Sequence, residues 1–139
     1  MYTAQHSNVV GCPADDDRMA LESLYSLGHW LFGEKRYADA ATVFRVMMKA
    51  FPTDERGWLA LGHCHEGLGQ REIALEIYGG GAVAAEPSAL CHLARFRALW
   101  EMDRSMEADE ALEAARGIAQ EKEDQDLRNQ IEEERRARP

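Results

Sequence analysis

The 139-residue chain is poor in residues that interrupt helices and in patterns that form strands. Only four prolines occur, and no alternating run of β-branched residues is present. Long stretches are instead rich in Ala, Leu, Glu, Arg and Met, which favour helices. The length suggests a single domain that can bury a core without disulfide or metal cross-links. These features predict an all-α protein.

Clustered positive charge and long apolar runs are also missing. The formal net charge is −9, whereas nucleic-acid binding requires cationic side chains gathered against phosphates. The apolar runs fall far short of a membrane span, and no charged, apolar leader opens the sequence. We therefore expect a protein of the cytoplasm that neither binds nucleic acid nor inserts into a membrane.

The cysteines and histidines do not form a convincing chemical centre. Cys12, Cys64 and Cys91 are an odd set without close pairing, which is typical of a reducing compartment. We expect Cys64 and Cys91 to be small buried packing groups. The "HCH" segment, residues 63–65, cannot turn all its side chains to one ion, because neighbouring helical residues point about 100° apart. With no nucleophile elbow either, we expect no metal, no cofactor and no enzymatic activity.

Two stretches, residues 24–52 and 58–87, repeat one pattern at a spacing of 34 residues. The matching positions are Leu27-Gly28-His29 with Leu61-Gly62-His63, Ala40 with Ala74, Phe44 with Tyr78 and, within one residue, Pro52 with Pro87. This is the pattern of a tetratricopeptide repeat, which folds into two helices, A and B. The glycine lets helix B approach helix A, and the proline ends helix B.

A weaker third copy follows. Its small and large positions fall on Ala108, Leu112 and Ala115, and its helix A is predicted over residues 88–102. Arg95 and Phe96 stand where the Leu-Gly pair is expected. Terminal repeats are commonly degenerate, because nothing further packs on them.

The repeats predict an all-α tetratricopeptide superhelix of three helix-turn-helix units, with an N-terminal helical segment and a C-terminal capping helix. The three units are expected within residues 21–122, at about 21–54, 55–88 and 89–122. Residues 1–20 are predicted to be an arm that can serve in dimerisation. Residues 123–139 are predicted to form a charged helix or tail, and its last residues, "EEERRARP", are expected to fray.

The segment "EIYGGGAVAAEP", residues 76–87, places three glycines inside a predicted helix. Each costs about 1 kcal/mol relative to alanine. A phosphate-binding loop is disfavoured, because no strand precedes the glycines and no Lys-Ser/Thr follows them. We predict that Gly81 lets helix A of repeat three lie close, or that the run lets the helix bend.

Helix A residues three or four apart are predicted to line the concave face of the stack. These candidates are Tyr25, His29 and Phe32 in repeat one, Arg56, Leu59, His63 and Glu66 in repeat two, and Leu93, Arg97 and Trp100 in repeat three. The alternative is that the aromatic members are core residues at helical spacing. Because the repeat phase gives the core to other positions, we predict a groove for an extended peptide with apolar anchors.

The segment from about Leu21 to Ala115 resembles the class II chaperones of type III secretion, the SycD/LcrH-like group. The resemblance rests on "LYSLG", "GEKRYADAATVF", "W-LALGHCHEGLGQREIALEIY" and "YGGGAVAAEP" followed by Cys91-His92. It implies a bacterial cytoplasmic chaperone that holds a hydrophobic translocator by an extended segment in its groove, and that can form homodimers through its N-terminal region. Tyr25 and Phe32 match aromatic groove positions of the group, whereas His29 stands where an aromatic residue is common.

Two alternatives remain at this point. Related, smaller tetratricopeptide chaperones bind the secretion needle subunit instead of a translocator. A general tetratricopeptide scaffold that joins two proteins of another assembly would show the same repeat.

Overall fold

The structure is a computed structural model that describes residues 15–139. Over that range the chain forms seven helices and no strand, which confirms the all-α prediction. The helices are α1 (Asp15–Gly33), α2 (Tyr37–Ala50), α3 (Glu55–Gly67), α4 (Arg71–Ala84), α5 (Ala89–Glu101), α6 (Ser105–Glu121) and α7 (Gln125–Arg136). Cys12 and most of the predicted N-terminal arm lie outside the described residues, while residues 15–20 form the start of α1.

The helices pack in chain order, α1 with α2, α3 with α4 and α5 with α6, and each pair packs on the next. The turn between the two helices of a pair recurs at the same spacing as the repeat. Lys35, Gly69 and Asp103, each 34 residues apart, have φ angles of 61°, 76° and 58°. This left-handed conformation suits glycine and is strained for lysine. The tetratricopeptide architecture predicted from the sequence is thus confirmed in its helices and its turns.

Glycines in α1 and α3 accommodate aromatic rings from the following helices. Phe44 and Tyr78 are 1% and 0% exposed. A Cβ atom added to Gly28 would come within 2.5 Å of the Phe44 ring, and one added to Gly62 would overlap the Tyr78 ring. The predicted role of both glycines, close approach of helices A and B, is confirmed.

The glycine run of α4 also allows a close approach, although not at all three positions. A Cβ on Gly81 would lie 2.6 Å from the Cβ of Trp58 in α3 and 2.8 Å from the sulfur of Cys91 in α5. One on Gly80 would lie 2.7 Å from the Trp58 ring, whereas one on Gly79 would meet only Arg95, at 3.8 Å. Since α4 continues without interruption through the run, packing explains Gly80 and Gly81.

The third pair of helices has a core of different composition. Ala108, Leu112 and Ala115 are buried as predicted. Phe96, at the position of Gly28 and Gly62, is fully buried beside Leu112. A large residue on helix A and a smaller one on helix B have therefore replaced the glycine and aromatic residue of the first two repeats.

Helix α7 covers the last pair of helices, as the predicted capping helix should. Asp124 caps its first turn by accepting a hydrogen bond from the Leu127 amide at 3.0 Å. Ile131 is fully buried in the cluster formed by α5 and α6. Ile118 of α6 and Leu127 of α7 are partly buried against the same cluster.

The C-terminal segment expected to fray has packing contacts beyond the end of α7, as far as Arg138. The Arg138 guanidinium pairs with Glu134 at 2.7 Å and lies 5.5 Å from the centre of the Phe96 ring. Arg135 donates to the Arg138 carbonyl oxygen at 2.6 Å. Arginine stacking on an aromatic face gives the charged end of the chain a packing surface that its composition does not reveal.

Candidate functional site

An open pocket of about 230 Å³ lies where the first two repeats meet. It is lined by His29 and Phe32 of α1, Phe44 of α2, and Ala60 and His63 of α3. His29, Phe32 and His63 are among the predicted groove residues, and the structure brings them to one site. The lining consists of aromatic rings and a methyl group, so the pocket suits an apolar side chain.

Two residues of this pocket are absent from the predicted set. Phe44 is a core residue whose ring also borders the pocket. Ala60 lies three residues before His63, on the same helical face. Its small side chain leaves the space open, and the spacing from His63 is the signal by which Ala60 could have been found.

Tyr25 and Arg56 connect α1 to α3 beside the pocket. The Tyr25 hydroxyl lies 3.0 Å from His29 Nε2, and the Arg56 guanidinium lies 4.7 Å from the centre of the Tyr25 ring. Arg56 also pairs with Glu22 at 2.8 Å and with Asp54 at 2.9 Å. Its charge is therefore already compensated, and it positions Tyr25 instead of offering a free cation to a ligand.

The electrostatics of this cluster favour its ionised form. Hydrogen bonds donated by Arg56 hold the pKa of Asp54 and that of Glu22 below their usual values. The same two carboxylates raise the pKa of Arg56. Asp54 in addition caps α3 by accepting a hydrogen bond from the Arg56 amide. The cluster thus holds α3 against α1 at neutral pH.

His63, Glu66 and Arg97 form the other side of the site. The His63 ring centre lies 5.7 Å from that of Tyr78, and the Tyr78 hydroxyl donates a hydrogen bond to Glu66. Burial and, less strongly, Glu66 raise the pKa of Tyr78. Burial lowers the pKa of His63 below 6.5, and Arg97 lowers it further against the opposing effect of Glu66. These surroundings favour the neutral form of His63.

Leu59 is half-buried and packs against a small cluster around Ala74 and Tyr78. It lies on the same face of α3 as His63, one turn earlier. The structure thus places it at the edge of the core, beside the groove-facing residues of its helix.

The third repeat does not continue the open face formed by α1 and α3. The prediction that Leu93 lines the groove is wrong. Leu93 is fully buried in the cluster that contains Phe96 and Ile131, because α6 and α7 both pack on this part of the molecule. Trp100 packs against the same cluster and carries the Arg135 guanidinium 5.4 Å from its ring centre. Arg97 remains half-exposed but pairs with Glu134 of α7 at 2.7 Å.

Cys64 and Cys91 are fully buried, as predicted, and their thiols are unpaired. Burial raises the pKa of the Cys64 thiol to about 11. In residues 15–139 no group of three or more His, Cys, Asp or Glu side chains is arranged to hold a metal ion. Among the helices of that range, none has the length and apolar composition needed to cross a membrane.

The fold and the pocket define a class: a tetratricopeptide-type protein with an apolar site on the face of its A helices. No protein-family model matches the chain. Comparison of the fold with solved structures is more informative. The chain is similar to the type III secretion translocator chaperone SycD of Yersinia enterocolitica, with 28% identity and a TM-score of 0.72 over 81% of this chain and 85% of SycD.

A second SycD structure, solved in complex with a peptide of the translocator YopD, matches with 27% identity and a TM-score of 0.70 over 91% of this chain and 95% of that one. Low calcium response locus protein H of Yersinia pestis is 36% identical over 63 residues. That match covers 45% of this chain and only 38% of the relative. The resemblance to the SycD/LcrH-like group, expected from the sequence motifs, is confirmed.

Proposed function

We propose that the protein is a type III secretion chaperone that holds a hydrophobic translocator in the bacterial cytoplasm before export. The observation that supports this most directly is the open apolar pocket between α1 and α3, on the face where tetratricopeptide stacks bind extended peptides. The proposal involves no catalysis and no cofactor. The client binds through an extended segment whose apolar side chain enters the pocket.

The mechanism is protection of apolar surface. Full burial of one Leu, Ile or Met side chain contributes about 1.5–3 kcal/mol. Several such contacts offset the entropy that an extended segment loses on binding. A client held this way cannot present the same segment to water, to other clients or to a membrane.

A translocator is favoured over the alternative clients by one comparison. SycD, which matches 91% of this chain, has been solved with a peptide of a translocator. The distinction can be tested by co-expressing the protein with a translocator and, separately, with a needle subunit of the same secretion system and comparing co-purification.

The groove itself is tested by Tyr25→Ala combined with Phe32→Ala. Loss of both rings should abolish binding of the translocator in calorimetric titrations, because one ring lines the pocket and the other orders His29 beside it. A matched control removes two exposed apolar side chains elsewhere, Val83→Ala with Met106→Ala, which are 76% and 80% exposed. Full affinity in the groove variant, or equal loss in the control, would contradict the proposed site.

We further propose that α1 provides a homodimer surface. Met19, Leu27 and Trp30 are 68%, 48% and 58% exposed and share one face of α1. SycD has also been solved in an alternative dimer. Light scattering of Leu27→Glu combined with Trp30→Glu should show a monomer where the parent protein shows a dimer. A monomeric parent protein would refute this part of the proposal.

A further inference from the structure

We propose that the pocket is acid-sensitive: protonation of His29 and His63 weakens its hold on the apolar side chain of a client. This inference rests on the proposed function and adds regulation to the same site. Two of the five residues that line the pocket are histidines, and they come from different helices, α1 and α3. A side chain that fills the pocket must contact both walls.

The size of the pocket limits the water that can stay beside His63 once a client is bound. A volume of about 230 Å³ is filled by one or two apolar side chains, which cover the half-buried His63. His29 is exposed, so an occupant removes water only from the side of its ring that borders the pocket. An imidazolium ion that loses its hydration without gaining a counter-charge is strongly disfavoured. The neutral rings, in contrast, offer flat faces that pack against aliphatic groups.

The groups around His29 do not offset a positive charge. Tyr25 contacts its Nε2 from the same helix as a neutral phenol. Arg56 of α3 lies over the other side of Tyr25, and its own charge is compensated by Glu22 and Asp54. The residue that α2 contributes here is Phe44, whose ring centre lies 6.4 Å from that of His29.

The groups around His63 act in opposite directions, and the neutral form is favoured. Glu66, on the same helix, favours the cation but already accepts a hydrogen bond from Tyr78 of α4. Arg97 of α5 disfavours it. Together with burial, this lowers the pKa of His63 in the unliganded protein. An apolar occupant removes more water and must lower it further.

The direction of the pH effect follows from this difference. Because the complex favours neutral imidazole, a bound histidine has a lower pKa than a free one, so binding releases protons and affinity falls as the pH falls through the free pKa. A histidine that must be neutral to bind weakens affinity by up to about tenfold for each pH unit below its free pKa, and the lowered pKa of His63 makes this loss smaller between pH 7.5 and 5.5. Carboxylates with ordinary pKa values near 4 contribute little in this window.

The experiment uses fluorescence anisotropy with the labelled YopD peptide that SycD holds in its solved complex. For the parent protein we expect binding at pH 5.5 to be weaker than at pH 7.5 by about threefold or more. His29→Gln combined with His63→Gln keeps polar side chains of moderate size but cannot become charged, and it should reduce this ratio to less than about twofold. His92→Gln is the matched control. His92 lies half-buried on α5, outside the pocket, and this variant should keep the ratio of the parent protein.

The readouts separate this inference from the proposed function. Equal affinity of the parent protein at both pH values, with binding intact at pH 7.5, overturns the acid sensitivity and leaves the chaperone function standing. Absence of binding at pH 7.5 counts against the function instead. The inference is then decided by NMR titration of the imidazole protons: a His63 that stays neutral below pH 6.5 supports a desolvated pocket wall, and an ordinary or raised pKa contradicts it. Circular dichroism at both pH values confirms that each variant is folded.

Discussion

The glycine run of α4 provides a sharp test of helix packing, because neighbouring glycines on one helix have different surroundings. In Gly81→Ala the new methyl group would lie 2.6 Å from the Cβ of Trp58 and 2.8 Å from the sulfur of Cys91. Real Cβ atoms do not approach this closely. The Trp58 Cβ cannot rotate away, since it is fixed to the backbone of α3. Either α3 or α5 must therefore move away from α4.

The magnitude combines two opposing effects. Alanine is favoured over glycine in a helix by about 1 kcal/mol, and overpacking of a core costs about 1–3 kcal/mol, occasionally more. With contacts on two helices at once, we expect the cost at the upper end and a net destabilisation of about 1–2 kcal/mol. Gly79→Ala is the control, because its methyl group meets only the flexible end of Arg95 at 3.8 Å. That variant should gain up to about 1 kcal/mol.

The two variants should thus differ by about 1–3 kcal/mol, or about 3–12 °C in Tm for a chain of this size. Thermal and urea denaturation followed by circular dichroism measure both quantities on the same samples. A Gly81→Ala protein as stable as Gly79→Ala would refute the argument that close approach maintains the glycine. It would also mean that α4 can move from α3 and α5 at little cost.

Four further predictions follow from the same contacts. Ala60→Leu should fill the pocket and lower client affinity at least tenfold, while Tm measured by calorimetry changes by only a few degrees. Lys35→Gly should raise Tm, because glycine relieves the φ of 61° in the first turn; an unchanged or lower Tm would contradict this. Glu134→Ala should lower the free energy of unfolding in urea by less than about 2 kcal/mol, since it removes two partly solvated ion pairs, with Arg97 and with Arg138. Asp54→Asn should reduce the loss of stability between pH 5 and 3: the depressed pKa of Asp54 stabilises the fold above the unfolded pKa, and this is lost as pH falls.

Most of the fold was predicted from the repeat spacing, because each repeat fixes which positions hold small side chains and which hold large ones. Gly28 and Gly62 are recognisable from sequence since they recur in phase with an aromatic residue sixteen positions later. In the degenerate third copy, Leu112 still falls at the position that the spacing predicts. The small residues near it on α6 let this helix pack close to α5. Spacing alone thus located the helices and their contacts.

The site was only partly predictable, because spacing gives the direction of a side chain but not what covers it. Leu93 has the same phase as Tyr25 and Leu59, yet it is fully buried where they are half-buried. The pairing of Arg97 with Glu134 depends on how α7 folds back, and that cannot be read from a charged segment. Ala60 was missed although its spacing from His63 places it on the groove-facing side of α3, because a methyl group is not recognisable as a binding residue until its neighbours are known to leave a space.

The third repeat explains why the open pocket belongs to the first two. There, helix A contributes a glycine and helix B an aromatic ring, and the ring of Phe44 borders the pocket between α1 and α3. In repeat three, Phe96 comes from helix A itself and fills the interior from that side. The Arg138 guanidinium then covers the face of the Phe96 ring. Placing the large residue on helix A and the smaller one on helix B preserves the core of repeat three but leaves no apolar pocket like that of repeats one and two. We therefore expect the apolar anchor of a client to bind at repeats one and two. Repeat three should make only polar contacts, through Arg97.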